Sequence, residues 1–373
     1  VYSEDAKGNP QYNWQYIDAL YDYLLSIGVR PFVELSFMPN ALASIRIGNE
    51  EWGKSSQPRK VSVFWWKANI TPPKSYLKWD NLIKALTQHW TDRYGAHEVA
   101  QWYFEVWNEP DHPSFFSPTN NATRLQEYLE LYDHTARAVQ SVNPSYRIGG
   151  PAGATTTFIV PLIDYCATNR TPLDFISFHA YATHGKYKAG SQDALLDEFG
   201  GKLISLDPDL AHPAMKVLKQ LPVIAQSPMP HLPIEVTEWG ASASSRDNVH
   251  DYYIMPAFLL ENLKATESGL GCMSYWTFTD IFEESGVAST PFHGGFGLIN
   301  LQGIKKPAFF AFRFMRQLGD TELANADTHS WVCRDATGGV QVLLWDATHP
   351  TDGKVADNTY FRQIHLPATT PGA

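Results

Sequence analysis

The chain of 373 residues is long enough for one large buried core, and its 44 % hydrophobic content is that of an ordinary soluble globular protein. Its 39 acidic residues outnumber 29 basic ones to give a formal net charge of −10 with no long basic run, which argues against a nucleic-acid or membrane partner and favours a neutral substrate. Cys166, Cys272 and Cys333 are odd in number and match no zinc or redox spacing, so they are expected to be buried thiols.

In chain order, Asn13 is placed to cap a first helix whose apolar face is Trp14, Ile17, Leu20, Tyr21 and Leu24, with Gly28 as its stop. Short β-rich runs then alternate with amphipathic helices: Arg30–Phe37, Gln101–Trp107, Arg147–Pro151, Leu173–His179, Leu232–Thr237 and Gly271–Phe278 read as six strands. Trp79, Leu82, Ile83, Leu86 and Trp90 keep helical spacing up to Gly95, and Leu125, Tyr128, Leu129, Tyr132, Ala136 and Val139 do so before Asn143-Pro144. Pro307 opens and Gly319 closes a helix through Phe309, Phe310, Phe312 and Phe314.

This alternation predicts an α/β protein of the (β/α)8 TIM-barrel class over residues 1–319, N-terminally incomplete because two βα units of the eight are absent from the chain. Residues 320–373 lose the helices: Ser330–Arg334, a turn at Asp335–Gly339, Val340–Trp345 and Tyr360–Leu366 read as the start of an accessory antiparallel, sandwich-like β-domain. The compartment is open, since Val1–Asp5 has no signal-peptide character and reads as internal, and no apolar stretch reaches the span of about 18 residues a membrane helix needs. A homo-oligomer is compatible with the sequence.

Two strand ends carry the chemistry. QWYFEVWNEPD at Gln101–Asp111 sets Glu109 after a β-run that Pro110 ends, and LPIEVTEWG at Leu232–Gly240 sets Glu238 in the same place. Active sites of such barrels lie at the C-terminal ends of the strands. On strands four and seven of a closed barrel, two inward glutamates leave a gap of about 6 Å, near the spacing of retaining glycosidases. Repulsion across that gap favours one proton on the pair; Glu109 is assigned it as acid/base and Glu238 the role of nucleophile. Strand parity puts Glu105 on the face of Glu109, as a hydrogen-bonded interior acid, and turns Glu235 towards the helices. The 12 Trp and 18 Tyr exceed what a core of this size requires and suit the C–H faces of sugars. No phosphate loop, metal-binding helix or nucleophile elbow is present, and no cofactor is implied.

At these residues the sequence resembles glycoside hydrolase family 39, the β-xylosidases and α-L-iduronidases. The resemblance runs through PFVELSFMP at Pro31–Pro39, NITPP at Asn69–Pro73, WNEPD at Trp107–Asp111, GGPA at Gly149–Ala152, YWTFTDIFEE at Tyr275–Glu284 and FHGGFGL at Phe292–Leu298. It implies Glu109 as acid/base, Glu238 as nucleophile and Asn108 as the contact to the sugar 2-hydroxyl. His179, Glu283 and Glu284 match residues at the glycone site, and Phe64, Trp65 and Trp276 are expected as pocket walls. Trp239-Gly240 and Phe178 depart from many relatives, which carry Tyr-Asn and Arg there, and both departures are expected to bear on the pocket.

The implied activity is retaining, exo-acting release of β-xylose from short xylo-oligosaccharides. The alternatives are the same chemistry on an iduronide, glucoside or arabinoside, or a non-catalytic carbohydrate-binding barrel. No convincing Arg/Lys pair for a substrate carboxylate stands near the strand ends, which places the iduronide second.

Overall fold

The computed structural model describes residues 1–48, 60–119, 122–184, 205–206, 212–282, 284, 286–288 and 290–346. Six strands, β1 (Phe32–Leu35), β2 (Tyr103–Val106), β3 (Arg147–Gly153), β4 (Phe175–Tyr181), β5 (Ile234–Gly240) and β6 (Cys272–Tyr275), form one sheet in the order β6-β5-β4-β3-β2-β1. Pairing is parallel from β1 to β4, with Phe32 opposite Tyr103, Tyr103 opposite Arg147 and Gly149 opposite Phe175. Strands joined in sequence are neighbours in the sheet and helices cover the connections, as crossover geometry requires. All six runs expected from the sequence are strands, with ends shifted by a few residues.

The chain divides into two compact units, Val1–His179 with Leu221–Thr237, and Ala180–Gln220 with Glu238–Ala373. In the first, α1 (Gln15–Ser26), α2 (Tyr76–Tyr94), α3 (Arg124–Val142) and α4 (Ile159–Asn169) accompany the sheet. Helix α2 buries Trp79, Leu82, Ile83, Leu86 and Trp90, the face its spacing predicts; Ser75 caps it and Gly95, at φ +86°, ends it. On α3, Thr123 and Gln126 form a reciprocal capping box, and the buried Thr135 hydroxyl accepts the Trp79 indole N–H at 2.8 Å. The expected apolar face of α1 is half-buried, with Trp14 stacked on His89 at 5.3 Å and Tyr21 on Trp90 at 5.2 Å, while Leu20 is 54 % exposed. Asn13 accepts the Gln15 amide at 3.0 Å just before the helix.

In the second unit, α5 (Met255–Ala265) packs on α6 (Pro307–Met315), whose buried residues are Ala308 and Ala311. Its phenylalanines are half-buried or, at Phe314, exposed, because close helix packing takes the small side chains. A three-stranded antiparallel sheet follows, β7 (Thr321–Glu322), β8 (Ser330–Arg334) and β9 (Val340–Leu344). The Asp335 carboxylate closes the β8–β9 turn by accepting from the Thr337 and Gly339 amides at 2.8 and 2.9 Å, and these bonds with that of the Thr337 hydroxyl lower its pKa to about 2. The Trp331 and Trp345 indoles donate to Glu267 and Glu261, anchoring this sheet to α5 and the turn after it. The expected strand Tyr360–Leu366 lies outside the described residues. Of the cysteines, Cys166 and Cys333 are buried and Cys272 is only partly so.

Candidate active site

In the first unit, one face of the sheet is built in layers because alternate residues of neighbouring strands meet. At the strand starts Phe32 stacks on Tyr103 at 4.9 Å and Phe175 stands edge-on to both, while the Arg147 guanidinium covers Tyr103 at 3.8 Å. Gly149 is required beside them, since a Cβ there would meet the Phe175 ring at 2.5 Å.

The next layer is polar. Glu34 and Glu105 are directly opposite each other, an arrangement that repels unless protons or donors intervene. Ser36 donates to Glu34, and Thr237 donates to Glu105 at 2.9 Å. Burial raises the Glu105 carboxyl, opposed by the Ser177 and Thr237 hydroxyls and by His179, with Glu235 adding to the rise. Glu34 is raised to about 7, first by desolvation and then by the Glu105 charge. Glu34 is exposed to water, so desolvation acts less on it than on Glu105, which is 2 % exposed, and the facing Glu105 charge is the cause of its rise that exposure leaves in place. Glu34 was not singled out from the sequence, and Glu235, expected to face the helices, shares a face with Thr237 and Glu105 instead. Counting back from Glu238 misplaced it because strict alternation fails at the end of β5: Trp239 packs on Phe258 of α5 although it shares parity with Thr237.

Glu109 stands at the top of this stack. Its Oε1 lies 2.9 Å from His179 Nδ1, and His179 is 1 % exposed. Trp107 and Glu109 both have positive φ, 72° and 46°, a conformation bulky residues adopt at a cost of about 1–3 kcal/mol each and that surrounding bonds must hold. Those bonds are present: Glu109 N donates to Ala152 O at 2.9 Å, the Trp107 indole donates to Phe115 O, and the Asp111 carboxylate accepts the Ala154 and Thr155 amides at 2.9 and 2.8 Å. Asn108 is buried beside Glu109, and its Oδ1 has no hydrogen-bond partner among the described residues.

A hairpin, Ser62–Val63 with Ala68–Asn69, carries the expected aromatic wall residues. Phe64 packs edge-on to Phe37, which in turn meets Trp107 at 5.8 Å, so Phe64 belongs to the aromatic cluster below Glu109. Trp65 is 56 % exposed, and it is Trp66 that stacks on Phe64 at 5.1 Å and lines a cavity of about 280 Å³ with Ser36, Phe37, Met38 and Asn69. Trp66, itself 45 % exposed, was not singled out from the sequence, which named its neighbour Trp65.

In the second unit, Glu238 Oε2 accepts the Tyr181 hydroxyl at 2.8 Å. Tyr181 follows His179 in the ISFHAY run but was not picked out. Trp276 follows β6, its amide donating to Trp239 O and its ring held edge-on between Phe282 at 4.9 Å and Phe296 at 6.4 Å. Trp239 is fully buried between Phe258 and Tyr275, and Phe178 is fully buried with parity opposite to His179. Trp239 and Phe178 thus fall on core positions, whereas at Gly240 a Cβ would stand 3.4 Å from the Tyr181 ring, so that departure lies beside the residue bonded to Glu238. Glu284 is half-buried, and Glu283 lies outside the described residues.

Behind Trp276 the glycine loop 292–298 is fastened to buried charges. Gly294 N and Gly297 N donate to Asp251 and Asp280, each at 2.7 Å, and Gly295 O accepts from Lys306 Nζ at 2.7 Å. The same ammonium pairs with Asp251 and Asp280 at 2.7 and 2.8 Å, with no exposure of its own. A Cβ at Gly294, Gly295 or Gly297 would stand 2.4, 2.5 or 2.3 Å from Asp247 or Asp280 atoms, so no other residue fits.

The model of glycosyl hydrolases family 39 matches residues 1–360. The chain belongs to that family. A β-xylosidase of Geobacillus stearothermophilus is 41 % identical over 92 % of this chain and 63 % of its own length, and one of Caldicellulosiruptor saccharolyticus is 43 % identical over 81 % and 56 %. This family 39 chain thus spans less than two thirds of those relatives. Among solved structures, a monomeric β-xylosidase of Caulobacter crescentus superposes with a TM-score of 0.84 at 35 % identity, covering 98 % of this chain and 68 % of the other. The family 39 enzyme of Xanthomonas axonopodis pv. citri gives the same TM-score at 38 % identity over 97 % and 65 %. Among the described residues of this family 39 chain, no helix is long and apolar enough to cross a membrane.

Proposed function

We propose that this family 39 glycoside hydrolase is a retaining exo-β-xylosidase in which Glu109 is the acid/base and Glu238 the nucleophile. The six strands are then consecutive members of a (β/α)8 barrel, and β7–β9 open a β-sandwich. The observation that carries the reading is the dressing of each carboxyl: Glu109 at a strand end against His179, Glu238 at another against the Tyr181 hydroxyl. The two β-xylosidases matched over most of the chain support xylose as the sugar.

In the first step a Glu238 oxygen attacks the anomeric carbon while Glu109 gives its proton to the departing glycosidic oxygen. The bond from Tyr181 holds Oε2 and turns Oε1 to the sugar. In the second step water, deprotonated by Glu109, attacks the anomeric carbon of the ester, and Glu238 leaves as carboxylate. Asn108 Oδ1, buried without a protein partner, suits a sugar hydroxyl, since an unsatisfied buried acceptor costs about 1–3 kcal/mol that a ligand O–H recovers. His179, Trp276 and Glu284 complete the proposed glycone contacts with Glu283, and Phe64 and Trp65, with Trp66 beside them, are the proposed aromatic side. The substrate partner is a short neutral oligosaccharide.

The test is hydrolysis of an aryl β-xyloside by Glu109→Ala and Glu238→Ala with added azide. Rescue yielding the β-azide for Glu109→Ala and the α-azide for Glu238→Ala establishes both roles. Active wild type with unimpaired variants contradicts the assignment, and a folded wild type that binds xylobiose but turns over no aryl glycoside supports the binding-protein alternative.

A further inference from the structure

His250 is 1 % exposed and lies in a short turn of 3-10 helix, Asn248–Asp251. Its Nδ1 is 2.8 Å from Gly294 O, and its Nε2 is 3.1 Å from Ser242 O. Both neighbours are carbonyl oxygens, which only accept. A neutral imidazole carries one N–H and one lone pair, so one of these contacts would set lone pair against lone pair. Only the doubly protonated ring satisfies both.

The charges around it make such a cation tolerable. Asp251, the next residue in the chain, and Asp280 face Lys306 in the buried ion cluster, which holds two carboxylates against one ammonium. Arg246 and Asp247, both buried and on the same segment, add one charge of each sign. The remaining titratable neighbours are the buried Tyr275 hydroxyl, which those aspartates hold protonated after burial, and His293, whose Nδ1 contacts Thr290 O at 3.0 Å.

What the ring ties together matters for the site. Ser242 lies four residues past Glu238, and Gly294 belongs to the loop that carries Phe296. Phe296 packs against the His250 ring at 5.1 Å and stands edge-on to Trp276. We propose that His250 is an imidazolium strut between the segment leaving the Glu238 strand and the glycine loop, and that it acts as a positioning residue for the Trp276 wall against which the sugar lies. The strut rests on the unit's own geometry; the positioning role rests on the glycosidase reading.

The test has two arms on the full chain. NMR of enzyme with 15N-labelled histidine rings, at about pH 8 where exposed histidines are neutral, is expected to show two slowly exchanging ring N–H protons that vanish in His250→Gln. A single ring N–H overturns the strut, whatever the activity. In kinetics, His250→Leu is expected to raise KM for an aryl β-xyloside about tenfold with kcat changed less than about threefold, and His250→Gln, which retains amide donors, to recover part of that loss. Unchanged KM in either folded variant overturns the positioning role. If His250→Leu does not fold, the wild-type spectrum and His250→Gln still decide. A folded wild type without glycosidase activity fails the proposed function and the positioning role with it, while the spectrum still reads the strut.

Discussion

The Tyr181 hydroxyl donates to Glu238 at 2.8 Å, the carboxylate proposed as nucleophile. A hydrogen bond to a charged group contributes about 1.5–3 kcal/mol, so Tyr181→Phe is expected to lower kcat by about 10–100-fold. Steady-state kinetics on substrates of differing leaving-group ability would locate the loss; an unchanged kcat would mean that the bond does not serve Glu238 in the reaction. Glu34 makes a prediction about pH. Its folded pKa of about 7 exceeds the ordinary 4.5, so the folded chain keeps a proton that the unfolded chain releases, and stability falls as pH climbs through that window. Glu34→Gln removes the penalty: its thermal stability should match wild type near pH 4 and exceed it increasingly up to pH 7, both approximate bounds of the window. A difference independent of pH would contradict the raised pKa of Glu34.

At the scale of the element, the glycine loop is a backbone fastened to buried charge. Removing the ammonium leaves Asp251 and Asp280 buried without the cation that pairs with both, and Lys306→Met is expected to cost about 3–5 kcal/mol in urea unfolding. A cost below about 1 kcal/mol would mean that protonation of Asp251 or Asp280 replaces the cation. The sequence announced this loop only as FHGGFGL, a run without period, because its hold comes from Asp251, Asp280 and Lys306, brought from three separate stretches. Helix α2 was legible for the opposite reason: its buried face repeats with helical spacing and both ends carry local capping residues. Helix α6 shows the limit of hydrophobicity as a guide, since its fully buried residues are Ala308 and Ala311 and its larger rings are only half-buried or, at Phe314, exposed.

For the whole molecule, alternation of strands and helices was readable from the residues, and so were the two strand ends bearing Glu109 and Glu238. Less legible was what each strand end does with its carboxyl. His179 against Glu109 and Tyr181 against Glu238 come from β4, a fully or nearly buried strand in which Ser177 and His179 are the polar residues and no carboxylate is present. Parity gave Glu105 its place and misplaced Glu235, because a two-residue period holds only until the strand departs from regularity, as β5 does by Trp239. Trp66, which stacks on Phe64, went unnoticed because its place depends on a hairpin turn that a motif does not specify.

The central claim is that Glu238 forms a covalent bond to the sugar. Incubation with a 2-deoxy-2-fluoro-β-xyloside carrying a good leaving group, followed by proteolysis and peptide mass spectrometry, tests it most directly. The account predicts inactivation with one fluoroxylosyl group on the peptide containing Glu238, and relief of inactivation when a sugar acceptor is supplied. Label on another carboxylate, or turnover with no adduct and inversion at the anomeric carbon, would contradict it.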